Sequence, residues 1–438
     1  MYWIDDMKIL LIGQTTLHWG RMEFGNIGNY YIIEPFIREL HKVFPEAEIR
    51  TTLQMSDRFN REENITKLPI ELYYSWDDEK FLDKALKELA IADIFSKTSQ
   101  LVEETMYINE VLYSDLVIDF SGDIWGDNAD FVGKDRFLIG LIKDRIAQLL
   151  NKKTVMLTGS PGPFKNQNIK EFAKLVYESF DLVTNREPIS TKYLFNEGFK
   201  MDKTFTLPCP SFLFDNKKKK HIDTKIHRND NKKIGFILCG WNFIEGPFNK
   251  SHRENEEFDI FAKSIEYISE ELRIDVYLMS HSNGFPIPPK EFKLQHGRDY
   301  LLIEQLYKYL KKRGNGKRVH LVSGVFDSWD TKTILGKFDM VISGRVHGAI
   351  ASLSQCVPTV MIDYGHEPKA HKIKGFAQLL GIQDYVADPS NSTDLIDKIY
   401  SCWNKRKLYK DYLRKIVPKI KKEAKQNFMK VREVFYGK

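Results

Sequence analysis

The chain contains 438 residues, and a single hydrophobic core rarely organises so long a chain, so we expect two domains. Hydrophobic residues make up 42% of the sequence and charged residues 29%, which is typical of a soluble globular protein. The apolar runs are far shorter than the ~20 residues that a membrane-spanning helix needs. The net charge of +6 is modest, and the basic residues lack an interleaved aromatic pattern, which argues against nucleic-acid binding.

The N-terminus does not resemble a signal peptide, because its apolar run at residues 9–12 is short and follows Asp5 and Asp6. We therefore expect a cytoplasmic protein with reduced thiols. None of the four cysteines forms a pair at metal-ligand or redox spacing. They are Cys209, Cys239, Cys356 and Cys402.

In the first half of the chain, short apolar runs alternate with longer amphipathic stretches. The predicted strands are residues 8–12, 115–120, 154–157 and 182–184. The predicted helices are residues 30–43, 136–150, 169–180 and 189–197. This alternation favours a parallel sheet with helices on both faces.

A lysine-rich polar stretch then interrupts the pattern and reads as a linker, after which the alternation resumes. The later predicted strands are residues 234–238, 276–279, 319–322, 340–343 and 359–362, and the helices are 258–272, 300–312 and 346–355. The sequence thus predicts an α/β fold of two Rossmann-like, doubly wound domains facing a cleft. Their expected bounds are 1–215 and 234–400, with a linker at 216–233 and a C-terminal helix at 401–438.

The C-terminal segment is strongly basic, with thirteen Lys or Arg against three Asp or Glu in residues 405–438. Its apolar residues recur at helical spacing, which predicts an amphipathic helix, kinked near Pro418, that packs against the body. The basic face is either simply solvated or a peripheral contact with an anionic membrane surface.

The most informative loop is Ser-Gly-Arg-Val-His-Gly at residues 343–348, which joins a buried strand to a helix. Ligands of open parallel sheets bind beyond the carboxyl ends of strands. Gly344 permits a tight turn, and Arg345 and His347 would lie near the positive end of the helix. A guanidinium can bind a carboxylate or phosphate with two parallel hydrogen bonds, and an imidazole can transfer protons near neutral pH. The loop predicts an anion site with acid–base chemistry.

Other strand ends carry further candidates, each of which also has a purely structural interpretation. Positive groups occur just after the strand at 359–362, where we single out His371 and Lys372. His281 follows the strand at 276–279 and is expected to point towards the cleft. The remaining candidates lie in the predicted first domain and are Asn26, Gly28, Asn29, Ser121, Asp123 and Arg186.

Taken together, these fragments resemble the polysaccharide pyruvyl transferase family over nearly the whole chain. In the family's order they are Gly-Asn-x-Gly at 25–28, Ser-Gly at 121–122, Gly-Pro-Phe at 162–164 and Arg-Glu-x-x-Ser at 186–190. The Ser-Gly-Arg-x-His-Gly segment at 343–348 is the most specific. In the family this segment is followed by a proline and a strand, which here are Pro358 and residues 359–362. A basic residue and Gly-Phe-x-x-x-x-Gly come next, here Lys372 and residues 375–381.

The resemblance implies the two-domain GT-B architecture and transfer of a pyruvyl group from phosphoenolpyruvate to sugar hydroxyls, in surface-polysaccharide synthesis. Arg345 would hold the donor and His347 would transfer protons, with no metal or redox cofactor. Further donor contacts would come from Arg186, Lys372, His371, Gly344 and His281. Acceptor contacts would come from Asn26, Gly28, Asn29, Ser121 and Asp123, and the acceptor would be a glycan or a lipid- or nucleotide-linked saccharide.

Two first-domain positions depart from the family pattern. Asp123 stands where the family commonly has a glycine, and Asn29 stands where it often has an acid. Two other hypotheses therefore stay open: a GT-B glycosyltransferase that uses a nucleotide-sugar, and a catalytically inactive glycan-binding relative.

Overall fold

A computed structural model describes residues 7–14, 22–122, 124–215, 226, 231–287, 289–314, 316–365 and 371–437. For Val132 and His371 it describes the backbone only. The chain divides into two compact units. Unit 1 comprises Met1–Met22, Phe36–Cys209 and Glu423–Lys438, and unit 2 comprises Glu23–Pro35 and Pro210–Lys422. Most of the predicted linker at 216–233 lies outside the described residues.

Unit 1 contains a parallel sheet of seven strands in the spatial order β3-β2-β1-β4-β5-β6-β7. The strands are β1 Lys8–Ile12, β2 Glu48–Thr51, β3 Ile65–Lys67, β4 Leu116–Asp119, β5 Lys153–Gly159, β6 Leu182–Asn185 and β7 Thr204–Thr206. The order reverses direction between β1 and β4, as in a doubly wound Rossmann sheet.

Unit 2 contains a parallel sheet of six strands in the order β12-β9-β8-β13-β14-β15, and a separate two-stranded ribbon of β10 and β11. The strands are β8 Lys233–Ile237, β9 Asp275–Leu278, β10 Asn283–Gly284, β11 Gln295–His296, β12 Val319–Leu321, β13 Met340–Ser343, β14 Thr359–Ile362 and β15 Val386–Ala387. The order reverses between β8 and β13, so the carboxyl ends of these two strands form the edge where Rossmann-like folds bind ligands.

Helices connect the strands in both units. Before the second sheet they are α1 Ile27–Val43, α2 Asp57–Glu62, α3 Phe81–Thr98, α4 Met106–Tyr113, α5 Arg136–Leu149, α6 Gln167–Ser179 and α7 Pro188–Asn196. From there on they are α8 Asp259–Glu266, α9 Arg298–Lys312, α10 Ser328–Leu335, α11 Val346–Leu353, α12 His371–Leu380, α13 Ser392–Asn404, α14 Arg406–Ala424 and α15 Gln426–Tyr436.

The predicted fold class of two doubly wound α/β sheets is confirmed. Every residue of the central strands β4 and β13 is buried, because parallel strands are covered by helices on both faces. The predicted strands all occur, within three residues at each end. Sequence patterns missed the short strands β2, β3 and β7, since three or four half-exposed residues carry little periodic signal.

The division of the chain differs from the predicted one at both ends. Glu23–Pro35, which includes the first half of α1, belongs to unit 2, whereas the C-terminal helix α15 belongs to unit 1. There Phe428 packs edge-on against Phe36. Pro418 lies inside α14, and the break between the last two helices comes at Lys425.

Each unit buries its own apolar residues on both faces of its sheet. Throughout the described part of the chain, every helix is either too short or too polar to cross a bilayer.

Candidate functional site

A buried asparagine connects the strand ends of unit 2. The side-chain amide of Asn242 donates to the carbonyl oxygens of Gly344, Ile362 and Asp363 at 3.1–3.2 Å, and its Oδ1 accepts the Cys239 N–H at 2.9 Å. A Cβ built on Gly344 would lie 1.9 Å from Oδ1 of Asn242, so no larger residue fits. The carboxyl ends of β8, β13 and β14 are thereby locked together.

Arg345 follows directly and forms a two-point ion pair with Asp299. Its Nε donates to Oδ2 of Asp299 at 2.9 Å, and its Nη2 donates to Oδ1 at 2.5 Å. The Asp299 side chain is fully buried, whereas 14% of the Arg345 side chain is exposed. Ser343 fixes the backbone at this point, because its hydroxyl donates to the Arg345 carbonyl at 2.8 Å. The guanidinium therefore has one defined orientation.

Burial of Arg345 opposes its charge, but Asp299 outweighs that effect and raises the pKa of Arg345 above its ordinary value. The guanidinium stays charged. Among the described residues, no atom is seen to accept a hydrogen bond from Nη1 of Arg345. The free edge of the guanidinium can therefore donate to a carboxylate or phosphate.

His347 lies two residues further on, in the first turn of α11, and is half-buried. A Cβ built on Gly28 would lie 2.7 Å from Nδ1 and 2.8 Å from Cβ of His347. On another side, the Phe376 ring lies edge-on at a centroid distance of 6.4 Å. The imidazole is thus held between a glycine backbone and an aromatic ring.

The segment around Gly28 is placed differently from the sequence expectation. The sequence predicts that this segment lies in the first domain and contacts the acceptor, but it belongs to unit 2 and packs against His347. The Gly28 N–H donates to Oδ1 of Asn26 at 3.1 Å, and the Asn29 N–H donates to the Asn26 carbonyl at 2.9 Å. Both amides are occupied by Asn26 and are not available to a ligand. Asn26 also pairs with Ser282 in a β-bridge.

His281 is fully buried rather than directed towards a ligand, which corrects the sequence expectation. Neither ring nitrogen has a hydrogen-bond partner among the described residues. Burial, and then the charge of Arg345, lower the pKa of His281 to about 3, so the ring is neutral. His281 packs close to Gly348 of the Arg345–His347 loop, because a Cβ added at Gly348 would lie 3.3 Å from Cδ2 of His281. Its predicted contact with the donor stays a prediction.

Lys372 is almost completely buried on α12. It lies one helical turn before Phe376, which places it on the helix face that contacts His347. Its predicted role in neutralising a donor stays a prediction. Asp123, the side chain of His371 and residues 366–370 lie outside the described residues.

Asp299 and Arg298 were missed by the sequence analysis. Both occupy the first turn of α9, which the sequence placed two residues later. An acid at a helix start is normally explained by the helix dipole, so only three-dimensional proximity could reveal its pairing with Arg345. Burial, followed by the charge of Arg345, lowers the pKa of Arg298, so a second guanidinium lies in the same neighbourhood.

In unit 1, the ends of β1 and β4 are joined through Ser121. Its hydroxyl donates to Oδ2 of Asp119 at 2.8 Å and accepts the Gln14 N–H at 3.1 Å. All three residues are buried. Burial raises the pKa of Asp119 to about 7. Ser121 therefore has structural partners on both sides.

Arg186 continues this chain of contacts at the ends of β5 and β6. Its Nε donates to the Ser160 hydroxyl at 2.8 Å, and its side chain is buried. The Ser160 N–H in turn donates to the carbonyl of Gly122 at 2.8 Å. Four adjacent strand ends of unit 1 are cross-linked in this way, and this set lies in a different unit from Arg345.

A family model described as polysaccharide pyruvyl transferase matches residues 26–366, which include Gly28, Asp299, Arg345 and His347. The chain belongs to the polysaccharide pyruvyl transferase family. It is also similar to the amylovoran biosynthesis protein AmsJ of Erwinia amylovora, with 23% identity over 407 residues that cover 89% of each chain. The resemblance seen in the sequence motifs is confirmed.

Solved structures show the same fold at low identity. The chain matches a glycosyltransferase of Rickettsia africae (TM-score 0.59, 12% identity, 99% of both chains covered). It also matches Anabaena Alr3699/HepE in complex with UDP and glucose (TM-score 0.58, 12% identity, 99% and 100% covered). A third match is the UDP-GlcNAc 2-epimerase of Neisseria meningitidis (TM-score 0.57, 11% identity, 99% and 100% covered). The chain thus has the GT-B fold, and fold alone does not specify the reaction.

Proposed function

We propose that this protein transfers a pyruvyl group from phosphoenolpyruvate to sugar hydroxyls of a polysaccharide or of its precursor. The observation that carries the proposal is that Arg345 and His347 lie two residues apart after one strand end, in a chain of this family. Asp299 orients Arg345, and Gly28 packs against His347. The similarity to AmsJ, an amylovoran biosynthesis protein, supports an acceptor from polysaccharide synthesis.

Phosphoenolpyruvate carries a carboxylate and a phosphate, and the free edge of Arg345 suits either group. Arg298 and Lys372 would add positive charge around it, and the N-terminus of α11 favours an anion as well. Such preorganised charge is the main means by which enzymes stabilise a developing anion. The prediction that Arg186 also neutralises the donor is kept as a proposal.

In the proposed reaction, His347 supplies a proton to the methylene carbon of the donor. A sugar oxygen then forms a bond to C2, which has gained oxocarbenium character, and the C2–O bond to phosphate breaks. A second hydroxyl of the same sugar adds to C2 and closes a cyclic ketal. One hydroxyl proton accounts for the new methyl group and the other leaves with phosphate, so the reaction balances without a metal or redox cofactor.

We propose that residues of unit 1 contact the acceptor sugar. Ser121 lies at a strand end of unit 1, and its hydroxyl already has two partners. We therefore propose that Asp123, two residues further along the chain, contacts the sugar. Asn26, Gly28 and Asn29 would influence the acceptor only through the support that they give to His347.

The direct test incubates the protein with phosphoenolpyruvate and candidate glycans, and follows phosphate release together with a pyruvyl mass gain on the glycan. Both signals are expected, and both should depend on the acceptor. Thermal denaturation separates the alternatives, because a bound ligand stabilises the folded state. Stabilisation by a nucleotide-sugar without any by phosphoenolpyruvate would favour a glycosyltransferase. Stabilisation by a glycan alone, without turnover, would favour an inactive binding protein.

We further propose that the exposed face of α14 contacts an anionic membrane surface. Leu408 is 73% exposed, and lysines at helical spacing share its side of the helix, opposite the buried Leu413 and Val417. These lysines are Lys415, Lys419 and Lys422. A basic face with an apolar side chain is suited to acidic lipid headgroups.

Co-sedimentation with vesicles tests this proposal. The protein should bind vesicles that contain phosphatidylglycerol, bind phosphatidylcholine vesicles several-fold less, and lose binding at high salt. The double variant Lys415→Glu/Lys419→Glu should bind weakly. The matched double variant Lys84→Glu/Lys87→Glu on α3 should bind normally. Equal binding by both variants would contradict the proposal.

A further inference from the structure

We infer that Asp299 is a positioning residue that sets the orientation of Arg345 for the donor. This inference rests on the proposed function and adds to it. It concerns the geometry of the guanidinium, since Asp299 itself would not touch the substrate.

The contacts leave Arg345 little freedom. Two of its nitrogens, Nε and Nη2, bond to the two carboxylate oxygens of Asp299, so the planar group is fixed along one edge. Asp299 is completely buried, and its backbone N–H donates to the Ser282 hydroxyl at 3.2 Å. These contacts restrict movement of the carboxylate, so the opposite edge of the guanidinium is held in one direction.

Charge alone does not explain this arrangement. If Arg345 acted only as a positive point charge, a carboxylate in direct contact would weaken its attraction for a dianionic donor. A fixed fork of donors, in contrast, gains from a partner that holds it, because less side-chain freedom is lost when the ligand binds. The two explanations predict opposite changes in donor affinity when the charge of Asp299 is removed.

Ser282 links this arrangement to the support of His347. It accepts the N–H of Asp299 and also pairs with Asn26, which caps the segment that packs against the imidazole. The adjacent Asn283 N–H donates to the Gly25 carbonyl at 2.8 Å. One short loop after β9 thus supports both the guanidinium and the imidazole.

The test compares steady-state kinetics of the full-length chain and its variants with phosphoenolpyruvate as the varied substrate. Asp299→Asn keeps the shape and one acceptor but removes the charge. We expect the KM for phosphoenolpyruvate to rise by about 10–100-fold with a smaller change in kcat, because the guanidinium loses its fixed direction. An unchanged or lower KM would overturn the inference and favour the point-charge explanation.

A double-mutant cycle shows whether Asp299 acts through Arg345. Asp299→Asn should have no further effect on kcat/KM in an Arg345→Gln background. If Arg345→Gln lowers kcat/KM but Asp299→Asn does not, only the positioning inference fails. If Arg345→Gln has no effect on turnover, the proposed donor site fails together with it.

Two further variants complete the test: one replaces Asp299→Asn if that protein does not fold, and the other is a control. Ser282→Ala removes only the hydrogen bond to the Asp299 backbone, and we expect a several-fold rise in the same KM if Asp299→Asn cannot be purified. An unchanged KM in that variant would overturn the inference. Asp339→Asn, at a partly exposed acid that pairs with Lys232 at 2.9 Å, is the matched control and should leave KM unchanged.

Discussion

The two sheets carry polar residues at the same carboxyl edge, but they use them differently. In unit 1, Ser121 and Arg186 are buried and bonded to neighbouring loops, so their polar groups hold strand ends together. In unit 2, Arg345 and His347 are partly exposed and are held by other residues, such as Asp299.

This difference shows that buried polar groups can stabilise a site while partly exposed groups remain available to a ligand. Groups that are completely satisfied by the protein have little capacity left for a ligand, whereas a group held along one edge keeps the other edge available. The comparison supports the proposal that unit 2 binds the donor, and it gives Ser121 and Arg186 of unit 1 structural contacts in addition to their proposed roles.

The largest effect is expected from His347→Gln, which removes the proposed proton donor but keeps a polar side chain of similar size. The turnover rate should fall by about 10²–10⁴-fold, the range typical of lost general acid–base catalysis. Circular dichroism and the melting temperature should stay close to the wild type. The control His252→Gln changes an exposed histidine and should be fully active. Normal turnover by His347→Gln would remove the catalytic assignment.

A smaller effect is expected from Gly28→Ala, because the new methyl group would lie 2.7–2.9 Å from the His347 ring and side-chain base. Displacement of the imidazole should lower kcat about tenfold or more. In unit 1, a Cβ added at Gly159 would lie 3.3 Å from the flexible end of Met156 and at ordinary contact distance, 3.5–3.8 Å, from Pro161 and Gly122, so we expect nearly normal activity of Gly159→Ala. Equal loss in both variants would contradict the contrast between the two edges.

In unit 1, substitution of a buried polar residue should change the stability of the protein more than its activity. The pKa of Asp119 is raised from 3.8 to about 7 by burial, so the folded state keeps this proton while the unfolded state loses it near pH 4. Its contribution to the free energy of unfolding therefore falls as the pH rises from about 4 to 7. The asparagine of Asp119→Asn cannot ionise. The free energy of unfolding of this variant, measured relative to the wild type, should therefore be higher at pH 7.5 than at pH 5.

Urea unfolding of both proteins at the two pH values checks this sign. The difference in unfolding free energy between variant and wild type should shift in favour of the variant at the higher pH. A difference that stays constant would mean that Asp119 titrates normally in the folded protein.

The sequence predicted the fold and the Arg345–His347 loop because both depend on local patterns. Buried parallel strands read as apolar runs, and β13 occurs at its predicted bounds. Asp299 could not be found in this way, since its partner is 46 residues away and the pairing requires the order of β8, β9 and β13. The burial of His281 and the placement of Gly28 likewise depend on packing between distant segments.

The central claim is that the free edge of Arg345 binds the anionic donor. Isothermal titration of phosphoenolpyruvate into the wild type, Arg345→Gln and the surface control Arg414→Gln tests it most directly. We predict clear binding by the wild type and by Arg414→Gln, and at least tenfold weaker binding by folded Arg345→Gln. Equal affinity in all three proteins would contradict the account.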